Sequence, residues 1–104
     1  MEQAVTVHFR YGSTDLSRLF ALEDRLEDAI RISNAGEYDG HEIRIDGHDG
    51  ILFMYGPDAD RLLEVVLPVL KTADFMEGAE ITRRYGPAQT GAREMTTTIR
   101  WPKP

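Results

Sequence analysis

At 104 residues, 41% of them hydrophobic and 29% charged, the chain is the size of one domain with a single core and needs neither disulfides nor a metal to hold it. It has no cysteine, which excludes thiol catalysis, disulfides and thiolate-bound zinc or iron–sulfur clusters. A net charge of −6 argues against a nucleic-acid binder, because phosphate contacts need a positive surface.

The charge is unevenly spread. From Arg83 onward there are five basic residues, Arg83, Arg84, Arg93, Arg100 and Lys103, against the single acid Glu94; this segment therefore carries +4 and the remainder −10. Such a split marks either solvated faces or a basic strip set against an acidic partner. The opening MEQAVTVHFR lacks the basic start and apolar run of a signal peptide, and no apolar stretch approaches the ~20 residues that span a bilayer, so the cytoplasm is the expected location.

In chain order, Val5, Val7, Phe9 and Tyr11 alternate with Thr6, His8 and Arg10, the period of a strand with one apolar face. Gly12-Ser13-Thr14-Asp15 breaks it and offers hydroxyl or carboxylate caps to a helix in which Leu19, Leu22, Leu26, Ala29 and Ile30 recur at three and four. Asn34-Ala35-Gly36 stops that helix, with Gly36 as the expected left-handed cap. His41, Ile43 and Ile45 then alternate with Glu42, Arg44 and Asp46 as a second strand, and Asp46-Gly47-His48-Asp49-Gly50 reads as a hairpin turn. The third strand, Ile51-Leu52-Phe53-Met54-Tyr55, is apolar on both parities, as a central strand is. Gly56-Pro57-Asp58-Ala59-Asp60 opens a second helix with proline at its first position; Leu62, Leu63, Val66, Val69 and Leu70 form its apolar stripe, and Pro68 falls inside it. Ala79, Ile81, Arg83 and Tyr85 alternate as a fourth strand. After the polar turn Gly86 to Gly91, Met95, Thr97, Ile99 and Trp101 alternate as a fifth, over about 93–101, paired with the fourth at the sheet edge.

Strand, helix, strand, strand, helix, strand is the split βαβ, or ferredoxin-like, arrangement, with first and third strands central and one additional C-terminal strand. The prediction is thus a single α+β domain over residues 1–104. Its helices cover one sheet face, leaving one parity of the third strand, either Leu52 and Met54 or Ile51, Phe53 and Tyr55, toward solvent. Large exposed apolar patches are unusual on monomers, so a homodimer or another protein is expected on the open face. Leu52, Met54, Arg83 and Trp101 are the candidate contact residues. Arg83 shares the parity of Ile81 and Tyr85: on an open face it and Trp101 form an anchor, whereas on a covered face Arg83 needs a carboxylate or must snorkel to the edge.

The polar cluster around the hairpin holds His41, His48 and Asp49, the residue types that ligate a divalent metal or move protons. Neighbours on a strand point oppositely, however, and a turn needs Asp46 to Gly50 for its own geometry. A small-molecule or metal site near the 40–50 hairpin is therefore the alternative, and no cofactor is expected. His8 reads as an ordinary sheet-face residue. Tyr11, Tyr55 and Tyr85 each precede a glycine at a strand end; with the first and third strands taken as parallel, Tyr85 falls at the opposite end from the other two, so no three-tyrosine pocket is expected. No P-loop, Rossmann, Ser-His-Asp or His-Glu-x-x-His signature occurs, so a non-enzymatic module is the leading expectation.

The segments GEYDGHEI (36–43), YGPDAD (55–60) and RYGP (84–87) resemble a group of small, largely uncharacterised bacterial proteins. The resemblance spans residues 36–87 and rests on turn and cap residues. It implies a bacterial, single-domain, ferredoxin-like protein, a class in which regulators and toxin-neutralising immunity proteins are common, and it carries no catalytic site with it.

Overall fold

The computed structural model describes residues 2–100. The order is β1 (Gln3–Arg10), α1 (Ser17–Ser33), β2 (Glu37–Ile43), β3 (Asp49–Gly56), α2 (Ala59–Leu70), a 3-10 turn (Asp74–Met76), β4 (Glu80–Arg84), a second 3-10 turn (Ala88–Thr90) and β5 (Glu94–Thr98). The five strands form one antiparallel sheet in the order β2-β3-β1-β4-β5. This is the ferredoxin-like sandwich with one more strand at the β4 edge. β1 and β3 are its central pair, as the two-sided apolar character of residues 51–55 implies.

One point of the topology differs from the sequence reading: β1 and β3 run antiparallel, with Val5 opposite Met54 and Val7 opposite Leu52. Helix α1 returns the chain so that β2 runs with β1, and the β2–β3 hairpin then reverses it. Tyr55 and Tyr85 consequently share one end of the sheet, beside Ala4 and its neighbours, and Tyr11 lies at the other. The three-tyrosine pocket is absent for that reason.

The chain ends of the elements follow local chemistry. Asp15 Oδ1 accepts the Ser17 N–H, and Ser13 Oγ accepts the Asp15 N–H, which together tie down the start of α1. The left-handed residue after α1 is Asn34 (φ 55°), not Gly36. Gly36 is required for another reason: a Cβ there would lie 2.0 Å from the Tyr55 carbonyl oxygen. Asp58, not Pro57, caps α2, its side chain accepting the N–H groups of Asp60 and Arg61. β2 stops at Ile43, and Ile45, expected on its apolar face, is fully exposed in the turn.

Both helices lie on one side of the sheet. α1 packs on α2 and β2, and α2 packs on β1, β3 and β4. Between them and the sheet sit Val5, Val7, Phe9, Leu19, Leu26, Leu52, Met54, Leu62, Val66 and Ile81, all essentially removed from water. Among the described residues no helix is long and apolar enough to cross a membrane.

Candidate protein-binding face

Residues directly opposite on paired strands project to the same side, so the register maps the face without helices. One row across it is Glu37, Tyr55, Ala4, Arg84 and Glu94; the next is Gly40, Phe53, Thr6, Thr82 and Thr96; the third is Glu42, Ile51, His8, Glu80 and Thr98. Ile51, Phe53 and Tyr55 remain partly exposed and lie outside the apolar core formed with the helices. Threonines fill the middle of the face, Thr82 and Thr96 bonded to each other at 3.0 Å, and both signs of charge stand around it.

The register also decides which parity of β3 is outside. Leu52 and Met54 pair with Val7 and Val5 beneath the helices and have no exposed surface, so they are core residues and not contact residues. Arg83 stands across from Val5 on the same covered side. It reaches toward the edge strand, where Nη1 donates to Asp60 Oδ1 at 2.8 Å and Nη2 to the Met95 sulfur at 2.9 Å, while Nε is buried without a hydrogen-bond partner among the described residues. Tyr85 donates its hydroxyl to the same Asp60 oxygen at 2.6 Å, and Arg93 stacks over the Tyr85 ring at 4.8 Å. The Tyr85 hydrogen bond first, then Arg83, holds the Asp60 carboxyl below its usual range, and the same hydrogen bond to Asp60 raises the Tyr85 hydroxyl. Arg83 is thus the second of the two alternatives, a carboxylate-paired arginine that joins β4 to α2. Trp101, the remaining candidate, lies outside the described residues.

The three hairpin candidates for metal binding are dispersed. His41 is on the helix side, its Nδ1 2.9 Å from both oxygens of Glu23 on α1. The same carboxylate accepts the Tyr38 hydroxyl at 2.5 Å, and burial, followed by Glu23, pushes the Tyr38 hydroxyl well above its ordinary range. Asp49 belongs to the open side. His48 is exposed, its backbone N–H bonded to Asp46 Oδ1 in the turn. Among the described residues no group of three or more potential ligands converges.

What the sequence reading passed over is His8. Its Nε2–H donates to Asp49 Oδ2 at 2.8 Å across the open face, and this bond is the first cause of the lowered Asp49 carboxyl. The other Asp49 oxygen is buried and has no hydrogen-bond partner among the described residues, with Arg44 Nε 3.6 Å away. The pair borders a cleft of about 220 Å3 whose walls include Glu42, Arg44 and Ile51. No local signal announces it, since the two residues are 41 apart in sequence.

No protein-family model matches the chain, and no protein of curated function is significantly similar to it. The solved structure of Rv0793 from Mycobacterium tuberculosis has the same fold, with a TM-score of 0.61, 19% sequence identity, and coverage of 88% of this chain and 100% of that one. At that identity the likeness is one of fold.

Proposed function

We propose that this chain is a small bacterial, cytoplasmic, non-enzymatic protein-binding or regulatory module whose contact surface is the open sheet face, with a second copy of itself as the first occupant. The observation that carries the reading is the partly exposed apolar line Ile51, Phe53 and Tyr55 along a central strand, on the side that neither α1 nor α2 covers. Five strands at about 4.8 Å and seven residues at about 3.4 Å give a face of roughly 24 by 24 Å, or about 600 Å2 in projection. That approaches the ~800 Å2 each partner contributes to a standard interface. Glu37, Glu42, Glu80 and Glu94 stand on it beside Arg10 and Arg84, so two copies related by a two-fold axis can match opposite charges.

Sedimentation velocity tests this. The unaltered protein is expected to be dimeric at tens of micromolar, and Phe53→Glu to be a folded monomer by circular dichroism. A monomer in both cases contradicts self-association; a dimer in both moves the contact elsewhere.

The His8–Asp49 pair favours one alternative, a small polar molecule bound in the adjoining cleft, whose walls carry the pair together with Glu42 and Arg44. A thermal-shift screen of metabolites and divalent ions is then expected to yield a ligand that stabilises the unaltered protein and not His8→Gln. Equal shifts on both would remove the pair from any such site.

A further inference from the structure

The two sheet edges are built differently. β2, at one edge, carries an irregularity between Tyr38 and Gly40, has Gly40 at φ +118°, and presents the acids Glu37, Asp39 and Glu42 along seven residues. A bulge and like charges are the usual ways of preventing another strand from adding. β5, at the other edge, pairs with β4 in continuous register, has no proline, and is exposed throughout. Its run Glu94-Met95-Thr96-Thr97-Thr98 is rich in β-branched residues.

We propose that β5 is a second interaction surface, an edge on which the β5 of another copy adds as an antiparallel strand. The backbone phase of β5 selects the register. Tyr85 N–H donates to Arg93 O, and Ile99 exchanges bonds with Ala79 and Gly78, so the odd-numbered residues turn their amides toward β4. The even-numbered residues Glu94, Thr96, Thr98 and Arg100 therefore turn theirs outward. Antiparallel pairing centred on Thr97 places Glu94 against Arg100 and Thr96 against Thr98, each twice by symmetry, and all four pairs fall at hydrogen-bonding positions. A centre on Thr96 forms only three such pairs and opposes no charges. In the first register Met95, which is 42% exposed, falls at a close, non-hydrogen-bonded position on the helix side opposite Ile99, whose own side chain is buried in the core. One register thus satisfies the outward amides and matches the charges.

The edge contact is made by the outward backbone of β5, whose residues Glu94, Thr96 and Thr98 also border the open face, so the two contacts are separated by removing the face contact at Phe53. The contact is narrow, and the association weak and concentration-dependent. The test uses Phe53→Glu as background, which removes the face contact, and compares Glu94→Arg, Arg100→Glu and the double swap by sedimentation velocity up to millimolar concentration, with circular dichroism as the folding control. Each single swap converts two attractive cross-strand pairs into two repulsive ones and is expected to weaken dimerisation about tenfold, the double swap recovering it to within about threefold of the background. A background protein that stays monomeric throughout, or swaps that leave the dissociation constant unchanged, would overturn the proposal. If Phe53→Glu itself changes nothing in the oligomer, the open-face reading fails while the charge swaps still decide the edge.

Discussion

Replacing Leu52 by alanine is expected to lower the unfolding free energy by about 2–5 kcal/mol, the range for a fully buried leucine that leaves a cavity behind. Leu52 has no exposed surface; it lies across from Val7 on one side and His41 on the other, beneath the helices. With the ~1–3 kcal/mol per molar dependence typical of small domains, the urea midpoint should fall by about 1 M or more. The neighbouring residue supplies the control. Phe53 points to the open side, so truncating it should cost less stability per atom removed and act mainly on association. The reverse pattern, a mild Leu52→Ala and a severe Phe53→Ala in the monomer, would mean that the two faces of β3 have been exchanged.

An effect of comparable size is expected for Gly47→Ala. Gly47 has φ +73°, and a Cβ there would lie 1.9 Å from the Ser13 carbonyl oxygen and 2.4 Å from its carbon. The contact is close because Gly47 O accepts the N–H groups of Gly12 and Ser13 while its own N–H donates to Arg44 O, so this residue clamps the β2–β3 turn onto the loop after β1. A left-handed alanine costs about 1–2 kcal/mol by itself. Forcing the loops apart adds about 0.5–1.5 kcal/mol for each hydrogen bond lost. The expected total is about 3 kcal/mol or more, some 10 °C or more in melting temperature for a domain of this size. Gly91 has a similar φ of +66° with nothing within 4 Å of the would-be Cβ, so Gly91→Ala should show the backbone cost alone. Equal losses at Gly47 and Gly91, measured by calorimetry, would show that the Ser13 contact relaxes at no cost.

The fold was largely legible because its signals are local. Alternation marked β1, β4 and β5, three-and-four spacing marked both helices, and the uninterrupted apolar run 51–55 identified the central strand. The facing of that strand was not legible, since every residue from Ile51 to Tyr55 is apolar and only pairing with Val5 and Val7 distinguishes the sides. This is why Leu52 and Met54 stood among the contact candidates and proved to be core. Arg83 was readable as a residue in need of a carboxylate, but Asp60, 23 residues earlier, is brought to it only by the packing of α2. The alternation of His41, Ile43 and Ile45 ran past the true end of β2 because Ile45 suits the pattern, while the bond from Gly47 N–H to Arg44 O already begins the turn. His8 and Asp49 illustrate the general limit: a pair made by register leaves no trace in spacing.

The most direct test of the open face as the contact surface is a dilution series followed by amide chemical shifts, from millimolar to low micromolar protein. The predicted result is that Thr6, Ile51, Phe53, Tyr55 and Thr82 shift together along one binding curve while the outer residues of α1 and α2 stay fixed. Shifts confined to the helices, or none at all across the series, would contradict it.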